Sequence, residues 1–213
     1  MPDALAHAYE NPRAELQARV PRDALRILDL GCASGALGAA LKARQPCHVL
    51  GVERDAAYAA RAEGRLDQVL VADVEHLEFS YLAPIDCLIC GDVLEHLVDP
   101  WRVLRDAAAL LRPGGTLVVS LPNVRYWETF WQLGVRGSWP RRSLGIFDRT
   151  HLRWFTLRDA YGLLEEAGCP VLGVNRLYRL GPERRPLTRT GLVERLPGRT
   201  LLTFQHVLVG RRT

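Results

Sequence analysis

Three stretches of the 213-residue chain gather residue types that do chemistry. The first is ILDLGCASGALGAAL, Ile27 to Leu41, where an apolar run ends in Asp29 and passes through Gly31, Cys32, Ala33, Ser34 and Gly35 into helix-forming sequence. A turn of this kind lets main-chain N–H groups approach a ligand at a helix start. A carboxylate just before the turn repels a diphosphate and favours a cationic ligand. Glu53, in GVERD, closes the next apolar run, the position at which a carboxylate meets ribose hydroxyls in doubly wound sheets. The second stretch, DVLEHLVDP, sets Asp92, Glu95 and His96 at i, i+3 and i+4, on one face of a helical turn. That face suits a pocket wall, with Asp92 in contact, or a base, His96. No metal is expected, and a divalent ion would have Asp92, Glu95 and His96 as ligands. The third is DRTHLRWFT, Asp148 to Thr156. Here His151 either accepts a hydroxyl proton or holds its loop by hydrogen bonds. Arg149 and Arg153 are candidates to hold an anionic acceptor.

The elements that position these stretches are legible as an alternation of short apolar runs with longer amphipathic ones, which predicts a parallel sheet covered by helices. The strand candidates are Arg26 to Leu30, His48 to Glu53, Gln68 to Ala72, Ile85 to Cys90 and Thr116 to Leu121. Between the last two lies a helix capped by Asp99, with Pro100 at its first position and Val103, Leu104, Ala107, Ala108 and Leu111 on one face. RPGG ends it. Residues 122–155 mix aromatics, arginines and glycines and read as an insertion over the sheet edge that covers the acceptor. Within it Tyr126, Trp127, Phe130 and Trp131 share one side of a helix that packs on the sheet, with Trp127 and Trp131 the candidates for an acceptor lid. A helix from Thr156 to Ala167 follows. Two further runs, Val171 to Tyr178 and Leu201 to Val209, flank a basic loop at 180–200 and predict a terminal antiparallel pair.

Composition narrows the class. Length and a 48% hydrophobic content suit one domain with a sizeable core. The apolar runs are strand-length, short of the roughly 20 residues a membrane helix needs. The first residues carry Asp3, Glu10 and Glu15 and no continuous apolar stretch, so no secretory signal is expected and the expected location is cytoplasmic. Five cysteines fit free thiols, and Cys87 and Cys90, three apart in a strand, face opposite ways. The net charge of +4 is unevenly spread: residues 1–124 hold 12 basic and 17 acidic side chains, residues 125–213 hold 16 and 7. The basic half predicts an acidic small-molecule substrate, or an acidic surface presenting it.

The spacing Asp29, Gly31, Ala33, Gly35 resembles motif I of the class I S-adenosylmethionine-dependent methyltransferases, with alanine where that family usually has glycine. The weaker alternative match, to a dinucleotide fingerprint, lacks its first glycine. The resemblance extends in order through Glu53 with Arg54, through Asp73 with Val74 near the adenine, through IDCLICGDVLEHLVDP, and through LRPGGTLVVSLPN. The strand-four segment is similar to that of ubiquinone-pathway O-methyltransferases, and DRTHLRWFT to a segment of the methyltransferase-23 group. It implies a Rossmann-like, mainly parallel seven-stranded sheet, S-adenosyl-L-methionine as methyl donor, and O-methylation of a sugar, glycolipid precursor or quinone-like hydroxyl. The later part of the chain also resembles the MetW family of methyltransferase-like proteins, which implies an alternative role as partner or activator of a homoserine acyltransferase; a homodimer is equally open. A nucleic-acid methyltransferase is disfavoured, because the arginines are scattered and GDVLEH stands where an amino-methylating enzyme has its Pro-Pro motif.

Overall fold

A computed structural model describes residues 9–179 and 193–213. Its centre is a seven-stranded sheet in the order β3-β2-β1-β4-β5-β7-β6. The strands are β1 (Arg26–Leu30), β2 (His48–Glu53), β3 (Gln68–Val71), β4 (Ile85–Gly91), β5 (Leu111–Pro122), β6 (Val171–Tyr178) and β7 (Thr203–Arg211). β1 to β5 run parallel, and β7 is antiparallel to both β5 and β6. The central strands are buried on both faces, as a sheet sandwiched by helices requires.

The helices follow from local sequence. α1 (Ala14–Gln17) precedes β1, α2 (Ala36–Arg44) follows it, and α3 (Ala56–Glu63) begins at Asp55, whose carboxylate accepts from Ala57 N and Tyr58 N. α4 (Pro100–Ala108) starts as predicted, with Asp99 accepting from Arg102 N and Pro100 leading. α5 (Trp127–Phe130) runs into a wide turn, Trp131–Val135. α6 (Leu157–Glu166) carries a complete capping box, in which Thr156 and Asp159 satisfy each other's main chain. α7 (Arg199–Leu202) leads directly into β7. One core cluster joins the sheet to α4 and α6 through residues such as Leu104, Leu117, Leu163 and Leu208. The other joins its opposite face to α1 and α2 through Leu16, Leu41 and Val118. Gly38 is needed there: a Cβ on it would collide with the Leu66 side chain and lie 3.0 Å from Val49.

Several expectations shift. β3 ends at Val71 rather than Ala72, and β5 begins at Leu111, so that RPGG is an irregularity inside a strand, with Leu111 paired to Ile85 ahead of Thr116. Leu201 lies in α7, and β7 starts at Thr203. The aromatic helix does not pack all its rings: Tyr126 is buried, but Phe130 and Trp131 are 53% and 48% exposed, because the segment widens at Trp131 and turns away from the sheet. Most of the basic stretch 180–200 lies outside the described residues.

Candidate functional site

The loops at the carboxyl ends of the neighbouring parallel strands β2, β1 and β4 form the floor of the candidate site. After β1 the chain takes three left-handed residues, Gly31 at φ 72°, Ala33 at 48° and Gly35 at 76°, before α2 begins. The curl is held by its own main chain: Gly31 N and Cys32 N donate to Val52 O, and Gly35 N donates to Cys32 O. Ala33 holds its place because its N–H donates to Glu53 Oε2 at 2.9 Å, while Glu53 Oε1 accepts from Asp55 N at 2.8 Å. Glu53 therefore ties the loop after β1 to the loop after β2. Asp73 Oδ1 accepts from Glu75 N at 2.9 Å, and exposed Arg54 stands 3.9 Å from Asp73 Oδ2. Cys32 turns its sulfur toward Gly51, Val74 belongs to the core, and buried Ser34 spends its hydroxyl on Tyr9 O and Arg65.

Asp29 is 3% exposed. Burial pushes its carboxyl up to about 7, opposed by Arg13 and reinforced by Glu53. A cation placed beside a buried carboxyl of this kind would restore its ionised form. The Asp29 carboxyl and the Glu53 carboxylate are acidic groups that a cationic, hydroxyl-bearing cofactor such as S-adenosylmethionine would suit.

A residue outside the motifs completes this floor. Arg13, in a left-handed conformation at φ 52°, turns its guanidinium over the ends of β4 and β5. It donates to Asp92 Oδ2 at 2.8 Å and to Ser120 Oγ at 3.2 Å, and it pairs with Glu15. Asp92 Oδ1 also accepts from Ser120 Oγ at 2.9 Å and from Gln205 of β7. The sequence signal for Arg13 was short: Asn11, whose side chain accepts from Arg13 N, and Pro12 ahead of a helix turn. Nothing in the local sequence marks Gln205.

The second and third motifs prove to be one site. Asp92 does not share a face with Glu95 and His96: its φ of 57° turns it toward Arg13, and a separate turn, Leu94–His96, follows. The metal trio of Asp92, Glu95 and His96 is therefore not assembled. Instead Glu95, His96 and His151 bring one donor atom each within 4.8 Å of one another. Glu95 O accepts from Leu152 N at 2.8 Å and Arg153 N at 3.0 Å, which staples the Asp148 loop to the β4 turn. The His96 and His151 rings meet edge to face at 4.7 Å, and His151 Nε2 lies 3.9 Å from Glu95 Oε1. Glu95 is 2% exposed with Oε2 unpartnered among the described residues; burial, then Asp92, raises its carboxyl well above the usual range. Burial, then His96, lowers His151. Arg153 donates to the carbonyls of Leu152 and Val98, and Arg149 is exposed. Trp127 is half-buried against Tyr126.

Comparison with known proteins identifies the family. Residues 4–174 match the methyltransferase-23 family, a methyltransferase domain. A ubiquinone biosynthesis O-methyltransferase of Xylella fastidiosa is 36% identical over 130 residues, 57% of this chain and 52% of that protein. The match thus spans about half the length of this curated relative. A crystal structure of an S-adenosylmethionine-dependent methyltransferase from Mesorhizobium loti superposes with a TM-score of 0.66 at 20% identity, covering 98% of this chain and 100% of that one. The N-terminal domain of EvdMO1, solved with S-adenosylhomocysteine and D-fucose, gives 0.59 at 26% identity over 96% of this chain and 82% of its own. With the strand order, the carboxylate-lined floor and a match across four-fifths of its length in accord, the chain belongs to the methyltransferase-23 family of class I S-adenosylmethionine-dependent methyltransferases.

Proposed function

We propose that the protein transfers the methyl group of S-adenosylmethionine to a hydroxyl of a small molecule, such as a sugar or a quinone-like acceptor. The observation that carries this reading is the pair of imidazoles, His96 and His151, joined at 4.7 Å beside the cofactor floor. A carboxylate acceptor is already a nucleophile, whereas a hydroxyl must lose its proton, and a neutral imidazole is the side chain suited to take it near pH 7. In this reading Asp29 and Arg13 hold the ammonium and carboxylate of the cofactor's methionine part, and Glu53 holds its ribose. Asp73 and the Val74 main chain line the adenine side. The cofactor supplies an activated methyl, and the protein supplies alignment and exclusion of water. Trp127, Trp131 and Arg149 border the acceptor.

The experiment is incubation of the purified protein with methyl-labelled S-adenosylmethionine and a fractionated metabolite extract, followed by chemical sorting of the labelled product. A methyl ether survives mild alkali and yields to hydriodic acid. Alkali-labile label would identify a methyl ester, and label resistant to both an N- or C-methyl group. Either would refute the hydroxyl reading.

A further inference from the structure

Hydrogen bonding around His96 fixes which of its nitrogens carries the proton. Nδ1 lies 3.3 Å from the main-chain oxygen of Thr150, and a carbonyl oxygen only accepts. Nδ1 also lies 3.0 Å from Thr150 Oγ1. That hydroxyl has a single proton, and it donates it to Asp148 Oδ1 at 2.7 Å, an oxygen that also takes Thr150 N at 2.9 Å. Thr150 Oγ1 therefore accepts from His96, and in the neutral ring Nδ1 bears the hydrogen while Nε2 keeps its lone pair. His151 is held by the Ile146 main chain and not by a hydroxyl–carboxylate pair, and its Nε2 faces the Glu95 carboxyl across 3.9 Å. His151 is 8% exposed, whereas His96 is only half-buried and open to an incoming molecule.

We infer that His96 Nε2 is the base that takes the acceptor's proton, and that Thr150 and Asp148 are the positioning residues that hold its ring in the required tautomer. The inference rests on the hydroxyl-acceptor reading above. In the step, the acceptor O–H bond breaks and its proton goes to His96 Nε2. The oxygen's electron pair forms the new O–CH3 bond, and the pair of the breaking S–CH3 bond stays on sulfur, leaving S-adenosylhomocysteine. The imidazolium is stabilised by the chain of hydrogen bonds from Nδ1–H through Thr150 Oγ1 to the Asp148 carboxylate, which stays ionised, and Nε2 then returns its proton to solvent. This is the logic of a carboxylate-oriented histidine base, with a threonine hydroxyl interposed. His151, packed edge-on against the His96 ring, and Glu95, whose carbonyl anchors Leu152 and Arg153, keep the two motifs in register.

The test combines turnover with a spectroscopic readout. His96→Gln is expected to lower kcat by about a hundredfold or more, while S-adenosylhomocysteine binds within about twofold of the parent. Thr150→Val removes the relay oxygen at nearly constant shape and is expected to lower kcat about 10- to 100-fold with KM little changed, in the range of lost orienting contacts. Thr150→Ser should restore most of it. Retention of kcat by His96→Gln, together with its loss in His151→Gln, would overturn the assignment. So would loss of turnover in EDTA with recovery on adding a divalent ion, since Glu95, His96 and His151 would then be acting as ligands. Nitrogen-15 spectra of the histidines in the S-adenosylhomocysteine complex need no acceptor. The Nδ1–H tautomer of His96 in the parent, mixed or reversed in Thr150→Val, is the expected result, and an Nε2–H tautomer in the parent overturns the relay. Absence of any methylated hydroxyl, with that tautomer signature intact, would instead count against the hydroxyl-acceptor reading alone.

Discussion

Asp29→Asn tests the cofactor floor with two readouts of opposite sign. Burial lifts the carboxyl from 3.8 to about 7. In the empty protein its ionisation therefore works against folding increasingly as pH rises from about 4 to about 7. The linkage integral gives a penalty of about 4 kcal/mol at pH 8 and about 2 kcal/mol at pH 5. Asparagine carries no such term, so the variant should gain about 2–3 kcal/mol relative to the parent between pH 5 and pH 8. Any packing cost of the amide is pH-independent and cancels in that difference. At roughly 2–4 °C per kcal/mol for a chain of this size, its thermal midpoint advantage should grow by about 5–10 °C. Binding moves the other way. An ammonium needs the ionised carboxylate, so parent affinity for S-adenosylmethionine should fall about 15-fold from pH 7 to pH 5.5. Loss of the charge-assisted contact should cost Asp29→Asn about 10- to 100-fold at pH 7, with a flat acidic limb. Thermal unfolding of the ligand-free protein across pH, paired with calorimetric titration of the cofactor, measures both. A midpoint difference constant with pH would refute the burial argument, and unchanged affinity would refute the placement of the ammonium.

Other sites make independent predictions. His206 on β7 is 1% exposed with both ring nitrogens unpartnered among the described residues, and burial, then Arg176, lowers it from 6.5 to about 4. Its folded value lies below the unfolded one, so stability present above pH 6.5 is lost as pH falls toward 4. Between pH 7.5 and 5 the parent should lose about 2 kcal/mol relative to His206→Leu in chemical denaturation. Ala33 sits at φ 48°, where a Cβ is disfavoured, so Ala33→Gly should raise stability by about 1 kcal/mol without weakening cofactor binding. Asp99→Ala removes the cap of α4 and should cost about 1 kcal/mol by the same assay. Arg13→Gln should raise the cofactor dissociation constant at least tenfold, and an unchanged constant would detach Arg13 from the floor.

Much of the fold could be read in advance because its strands are buried on both faces and bounded by turn residues. Arg26–Leu30, His48–Glu53 and Val171–Tyr178 begin and end where the apolar runs do. Boundaries moved where pairing overrode local signals, as at RPGG, which the neighbouring strand draws into β5. The residues expected to hold the cofactor lie within a few positions of successive strand ends, where the order of the strands alone brings them side by side. The acceptor side was not legible in that way. His96 and Thr150 are 54 positions apart, and only the tertiary contact between a turn and a loop shows that they share a hydrogen bond. Arg13 and Gln205 were missed for the same reason, since each reaches Asp92 from a distant part of the chain. The helical reading of Asp92, Glu95 and His96 failed because Asp92 takes a left-handed conformation that a spacing rule cannot foresee.

The two amides that Glu95 O accepts have a consequence for how such proteins diversify. They pin Leu152 and Arg153 to the end of β4, so the chain between Val124 and Phe147 leaves the sheet and returns to a fixed mooring. Length and composition in that span are then free to drift while the reacting groups keep their places. New acceptor preferences would be reached by exchanging the span whole, and a chimera that swaps it while keeping Asp148 to Arg153 should inherit the donor's choice of acceptor on an unaltered methyl-transfer frame.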